Sequence, residues 1–278
     1  MPGKLTSEAL KAGVERSPER DAVSAFVITF NEEEHIRDCL SSLSFCDEVI
    51  VIDSFSKDDT VKIAEEMGAK VIQREWPGYR AQKAFGLEQC NCKWVLNLDA
   101  DERVDSTLAG EIQTILEGRD KNISGDPVVG YELNRVVFHL GRWWRSGGWY
   151  PEYRLRFFLK ESVEWGGRDP HEKPVTGGRV ERLRGELHHF SYTNLADQFK
   201  RLLNFAEVSA AESFRIGKRS QVHDILCRPF LRSFKFYFLK RGYKEGTAGI
   251  VVAIAEGVYT FMKYALLWEM NRNRPKDD

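Results

Sequence analysis

Two carboxylates one residue apart, Asp99 and Asp101, close the apolar run Val95-Leu96-Asn97-Leu98. Read as a strand, that run places both acids on one face at its C-terminal end, the edge where open α/β sheets bind ligands. Paired carboxylates suit a hard divalent cation of the Mg2+ or Mn2+ type, which prefers oxygen and commonly holds a substrate's phosphates at the same time. An isolated Asp-x-Asp also ends strands and begins helices for purely structural reasons. The meaning of these two acids therefore depends on what the neighbouring elements bring beside them.

Those elements repeat a strand-helix pattern. Residues Ala22 to Phe30 form an apolar, β-branched run, and Glu32 to Leu43 follow with helical spacing at Ile36, Leu40 and Leu43. Asp47 to Asp53 is a second buried strand ending in an acid, and Ser56 to Thr60 offers capping side chains before a helix over Val61 to Met67. Gly68 ends that helix, Ala69 to Gln73 gives a short third strand, Tyr79 to Gln89 is helical, and Lys93 to Leu98 is the fourth strand. Strands apolar throughout, rather than alternating, predict a doubly wound, mainly parallel α/β sheet with helices on both faces. Three strand ends then carry polar groups on one edge: Thr29, Asn31 and Glu32; Asp53 and Ser54; Asp99 and Asp101.

Composition narrows the function classes. The 278 residues carry 41 Lys and Arg against 42 Asp and Glu, which removes any global electrostatic case for nucleic acid as a partner. Five cysteines (Cys39, Cys46, Cys90, Cys92 and Cys227) show no zinc-site or disulfide spacing, in keeping with a reducing compartment. Met1 to Asp21 is polar and lacks the apolar core of a signal peptide, so a cytoplasmic protein is expected. No segment gives 18 uninterrupted apolar residues, so a spanning helix is not expected.

The strand-end motifs resemble those of the inverting family 2 glycosyltransferases of the GT-A fold. Thr29-Phe30-Asn31-Glu32 is similar to that family's first-strand motif, and Val51 to Thr60 to its Val-Asp-Asp-Gly-Ser-x-Asp-x-Thr segment, with Ser54 and Phe55 where Asp-Gly is common. Gly78 to Gly86 resembles its Gly-x-x-x-Ala-Arg-Asn-x-Gly helix, with Gln82 and Lys83 in place of Arg-Asn. The resemblance covers Val23 to Leu108 well. Trp149 to Phe158 and Asp169-Pro170-His171-Glu172 look like the Arg-Leu-Phe and His-Glu segments of lipopolysaccharide core β-1,4-glucosyltransferases, as do Phe238 to Tyr243 and Gly246 to Gly249.

The resemblance implies a sugar transferred from a nucleotide diphosphate. Thr29, Asn31, Glu32 and Asp53 would hold the nucleoside, with Asp53 facing the base and Glu32 near the ribose. Asp99 would be shared between ribose and metal, and Asp101 would bind the metal directly. Carboxylates accept hydrogen bonds from ribose hydroxyls and a uracil N–H, while Arg80 or Lys83 can neutralise diphosphate. The cofactors implied are a divalent cation, Mn2+ or Mg2+, and the UDP-sugar donor. Inverting transfer also needs a base for the acceptor hydroxyl. Glu172 is the first choice and Asp169 the second, because both lie in the polar loop from Gly166 to Pro174.

His171 would complete the metal shell or bind phosphate, with His188 and His189, after the strand-like Val180 to Leu187, as a second ligand candidate. Arg156 would meet the diphosphate, although an Arg in the alternating run Tyr153 to Phe158 also fits a solvated face. Trp143, Trp144 and Trp149 suit sugar stacking, core packing or a membrane-facing edge. The expected organisation is a polar extension over residues 1–20, a catalytic domain over 21–190 and a helical region over 191–278. Within the catalytic domain, 21–108 forms the nucleotide-sugar half and 109–190 the acceptor half.

Between Arg215 and Lys244 stand nine Lys or Arg against one acid, Asp224, interleaved with Phe230, Phe234, Phe236, Tyr237, Phe238 and Tyr243. This mixture fits an interfacial segment on an anionic inner-leaflet surface. Ala248 to Trp268 reads as an apolar helix with a polar stripe at Glu256 and Lys263. Together these readings give a metal-dependent hexosyltransferase using UDP-glucose and acting on a lipopolysaccharide inner-core sugar. The alternatives are transfer to polyprenyl phosphate or to a protein side chain, or a non-catalytic sugar-nucleotide or membrane-binding module.

Overall fold

The computed structural model describes residues 20–118, 126–167 and 172–273, which fall into two compact units. The first comprises the chain up to Arg135 together with Glu152–His189, and the second comprises Val136–Pro151 with the chain from Phe190 onward. The segment 136–151, inside the range expected for the catalytic domain, thus groups with the C-terminal helices.

In order, the first unit holds β1 (Val23–Thr29), α1 (Ile36–Ser42), β2 (Glu48–Asp53), α2 (Thr60–Glu66), β3 (Lys70–Gln73), α3 (Tyr79–Gln89), β4 (Trp94–Asp99), β5 (Glu102–Val104) and α4 (Ser106–Leu116). It continues with most of β6 (Val128–His139), followed after β7 (Arg142–Trp143) of the second unit by β8 (Glu152–Leu159), β9 (Glu164–Gly166), β10 (Lys173–Val175) and β11 (Arg179–His189). The main sheet runs β3-β2-β1-β4-β8-β6-β11-β5, while β9 and β10 form a separate antiparallel ribbon.

The expected α/β architecture is present, and its parallel part ends at β4. Pairing is parallel from β3 through β2 and β1 to β4, but antiparallel for β4 with β8, β8 with β6, and β11 with β5. The sheet is therefore mixed rather than mainly parallel. Strand alternation sorts β1 between two cores. Val23, Ala25 and Val27 pack with residues of α1, α2 and α4, while Phe26 and Ile28 point to the other face with Leu87 of α3. Both faces of the parallel strands are covered, which is why they read as continuous apolar runs.

The helix expected from Glu32 begins later, at Ile36, because Glu32 is used in the preceding turn and its carbonyl accepts from the His35 and Ile36 N–H groups. Gly185 of β11 marks a close approach: a Cβ there would stand 2.3 Å from the Leu108 backbone nitrogen in α4. This contact seats α4 on β11.

The second unit consists of the end of β6, β7, α5 (Leu195–Arg215), α6 (Val222–Phe234), a π-helical turn (Lys235–Leu239), a 3-10 turn (Gly242–Glu245) and α7 (Gly246–Arg272). By length and composition the run Gly242–Arg272 is apolar enough to cross a membrane, contrary to the expectation from uninterrupted apolar runs. Within its unit, however, α7 packs against both α5 and α6. Gly257 permits that approach, since a Cβ there would lie 2.3 Å from Ser233 Oγ of α6. Buried Glu256 of α7 accepts from Trp149 Nε1 at 3.3 Å and from Arg232 Nε at 2.8 Å. Trp144 is wholly buried against Phe236, Val252 and Ala253, so this tryptophan is core rather than a sugar platform.

Candidate active site

The register of the parallel strands brings the three polar ends together. Thr29 pairs with Asp53 across β1 and β2, and Ile28 pairs with Asp99 across β1 and β4. Thr29 is buried and its hydroxyl has no hydrogen-bond partner, an unmet need that a ligand at this edge would satisfy. Asn31 adopts a left-handed conformation, φ 55°, and its amide oxygen accepts from the Lys57 N–H at 2.7 Å. The Glu32 N–H donates to Thr60 Oγ1 at 2.8 Å. These bonds tie the loop after β1 to the loop after β2.

Asp53 is fully buried and heavily engaged. Its carboxylate accepts from Ser56 Oγ, from the Ser56 N–H at 3.0 Å and from Gln73 Nε2 at 3.1 Å. In this arrangement Asp53 shapes the loop that borders the edge. The loop's Phe55, at φ 61°, and Phe30 after β1 are both exposed aromatic rings.

At the end of β4 lies a network of buried ions. Arg156 Nη2 donates to Asp99 Oδ2 at 2.8 Å and to Glu102 Oε1 at 2.8 Å, while Arg156 Nη1 donates to Asn97 Oδ1 at 2.7 Å. Lys83 Nζ, buried in α3, stands 3.2 Å from Asp99 Oδ1 and 3.1 Å from Glu172 Oε1. Glu102 is completely buried; it accepts from the Asp99 N–H at 3.0 Å and lies 3.4 Å from Arg135 Nη1. Arg135 in turn pairs with Glu152 at 2.8 Å.

Local backbone geometry explains how Arg156 turns inward. Tyr131 of β6 faces Phe157 of β8, but the next residue, Glu132, faces Leu155, so Arg156 is the unpaired residue of a β-bulge. A bulge re-aims the side chain it carries. Arg156 does not sit on a solvated face: it is buried, holding Asp99 and Glu102. Arg80, on the same helix as Lys83, is exposed.

Burial would raise the Asp99 carboxyl, yet the Lys83 and Arg156 cations outweigh that effect and hold it well below the usual carboxylate range. Asp101 is also held below its ordinary value, burial being opposed by the His189 imidazole. His189 Nε2 is 3.2 Å from Asp101 Oδ2, a meeting set by the antiparallel register that pairs His189 of β11 with Glu102 of β5. The first histidine choice, His171, and the second base choice, Asp169, lie outside the described residues. Glu172 is described, and its second oxygen, Oε2, is buried without a hydrogen-bond partner. Gln82 likewise leaves a buried Oε1 unpartnered while its Nε2 donates to Ser54 Oγ at 3.2 Å.

A carboxylate and an imidazole 3.2 Å apart suit one ion of the manganese class. Among the described residues no cluster of three His, Cys, Asp or Glu side chains is arranged for a metal. Asp101 and His189 would therefore hold an ion together with oxygens of the substrate, as such cations commonly are held. Sequence reasoning did not assign roles to Glu102, Gln82 or Asn97. The one available signal was Glu102 standing directly after the Asp pair.

With an α/β fold that gathers strand-end carboxylates and buried cations at one sheet edge, the chain belongs to glycosyl transferase family 2, whose family model matches residues 24–169. It is a glycosyltransferase. It is 27% identical over 265 residues to the lipopolysaccharide core biosynthesis glycosyltransferase LpsC of Rhizobium meliloti (strain 1021), covering 92% of this chain and 96% of that protein. An uncharacterized glycosyltransferase of Rickettsia typhi, RT0209, is 29% identical over 260 residues, covering 90% of this chain and 87% of that one. Among solved structures, glucosyl-3-phosphoglycerate synthase of Mycobacterium tuberculosis, in complex with Mn2+, UDP and glucosyl-3-phosphoglycerate, is 25% identical with a TM-score of 0.33; the match covers 51% of this chain and 50% of that one.

Removing Glu102's charge leaves the buried Arg156 and the half-buried Arg135 undercompensated. Glu102→Gln should destabilise the protein by about 3–5 kcal/mol in urea denaturation, whereas Phe30→Ala, at an exposed ring, should change stability little. The depressed carboxyls predict the acid limb. Between about pH 4, the ordinary carboxylate value, and the lower folded-state values, the unfolded chain binds more protons, so stability falls as pH falls. The drop in urea midpoint between about pH 5 and pH 3 should be smaller in Asp101→Asn than in the unsubstituted protein.

Proposed function

We propose that the protein transfers a hexose from a UDP-sugar to a saccharide of the lipopolysaccharide inner core, with inversion at the anomeric carbon. The observation that carries the reading is Lys83 bridging Asp99 and Glu172, at 3.2 and 3.1 Å. One cation thus links a carboxylate of the donor edge to the candidate base. Glucose is the proposed hexose, following the resemblance to lipopolysaccharide core glucosyltransferases. The name of the Rhizobium meliloti relative supports the acceptor class.

In this reading Thr29 and Glu32 bind the nucleoside, and Asp53 fixes the loop beside it through Ser56. Asp99 is held ionised by Arg156 and Lys83 and accepts from the ribose. Asp101 and His189 would hold a Mn2+ or Mg2+ ion, which when bound neutralises charge on the diphosphate. Lys83 donates to a phosphate oxygen in this reading. Such an exchange would leave Glu172 free of its cation and able to accept the proton of the acceptor hydroxyl. The protein works in the cytoplasm at the inner face of the membrane, where a lipid-linked acceptor resides.

Release of UDP from UDP-glucose in the presence of manganese tests the donor and metal roles together. The unsubstituted protein should release UDP, chelation should stop it, and Asp101→Ala should lower the rate by at least about 100-fold. An unchanged rate in Asp101→Ala would remove the metal assignment. Release from a GDP-sugar and none from any UDP-sugar would remove the donor.

A further inference from the structure

The most exposed apolar surface among the described residues belongs to the second unit, on the face of α6 that does not pack on α7. Val222, Leu226, Phe230, Phe234 and Phe238 recur every four residues through α6 and the π-helical turn, and all five are exposed. Leu226 is 67% and Phe230 70% exposed, values more usual for charged surface residues than for a leucine or phenylalanine. The rings are ordered against one another, with centroids 6.4 Å apart for Phe230 and Phe234 and 4.8 Å apart for Phe234 and Phe238. Leu231 and Leu239 widen the strip.

Cations border it. Arg228, Arg232 and Lys235 follow one another at helical spacing along the adjoining strip of α6 and the turn after it. Lys235, Lys240, Arg241 and Lys244 are exposed, and their side chains form no ion pair among the described residues. The acids nearby are turned to other work: Asp224 pairs with Arg228, and buried Glu245 accepts from Ser146 Oγ at 2.7 Å. An apolar, ring-bearing strip flanked by unpaired cations matches the acyl boundary and phosphate groups of an anionic bilayer.

We propose that this face of α6 and the π-helical turn lies in the plane of an anionic lipid surface, with Leu226, Phe230 and Phe234 entering the acyl boundary. The cations from Lys235 to Lys244 meet the phosphates. The inference rests on the membrane-surface part of the preceding reading and not on sugar transfer, so the two fail separately. It reads α7 as a helix packed on α5 and α6, with Glu256 held by Arg232 and Trp149, rather than as a membrane span.

Co-sedimentation of the full chain with vesicles tests it. The protein should pellet with vesicles of phosphatidylglycerol and phosphatidylcholine in about equal parts, stay in solution with phosphatidylcholine alone, and be released by about 0.5 M salt. Leu226→Ser with Phe230→Ser should lower the bound fraction at least about tenfold, with the thermal midpoint and UDP release unchanged. Lys240→Glu with Arg241→Glu should weaken binding independently. The proposal is overturned if the protein ignores anionic vesicles or if the serine pair pellets as before. It is equally overturned if bound protein resists alkaline carbonate, as a spanning helix would. A dimer in solution that the serine pair converts to monomer would assign the face to a second copy of the chain instead.

Discussion

The rest of the first unit depends on the charge balance around Asp99. Burying a guanidinium or an ammonium group is costly unless opposite charge and hydrogen bonds meet it, and here Arg156 and Lys83 are both buried. Their compensation comes from three separate places in the chain: Asn97 and Asp99 in β4, Glu102 at the start of β5, and Glu172 just before β10. No single element could supply it. The ions are balanced only when the parallel half of the sheet, the antiparallel half and α3 are in register together, so the network links the formation of the site to completion of the fold.

The same network explains why the parts of the site were unequally legible in sequence. The parallel strands and their polar ends were readable because burial on both faces leaves continuous apolar runs, and α3 was readable from its periodicity. Arg156 was not, since a bulge reverses the facing that alternation assigns, and no single-strand pattern encodes a bulge in a pair. Glu102 looked like one more acid following a motif; its burial is decided by Arg135 and Arg156, which lie far along the chain. His189 reaches Asp101 through the β5 and β11 register, which a linear reading does not provide. Asp53 shows a different lesson: its position was legible, but not that Ser56 and Gln73 would occupy its carboxylate.

The second unit obeys a different logic. Its apolar residues include a buried set around Trp144, Phe236 and Val252 and a strongly exposed set along α6. Composition alone pointed to a basic, aromatic segment but could not sort rings that pack from rings that face outward. Phe236 and Phe238 are two residues apart, yet one is buried and the other exposed. The mostly apolar α7 likewise reads as a span by composition, while its polar residues serve contacts inside the unit.

The proposed role of Lys83, held between Asp99 and Glu172, is to meet the diphosphate of the donor. Titration calorimetry of UDP in manganese, comparing the unsubstituted protein with Lys83→Gln, tests it most directly. Loss of one charge-assisted hydrogen bond to phosphate, worth about 1.5–3 kcal/mol, should weaken UDP at least about tenfold while the thermal transition stays cooperative. Equal affinity in the two proteins would make Lys83 a structural counter-ion and leave the diphosphate to be held elsewhere.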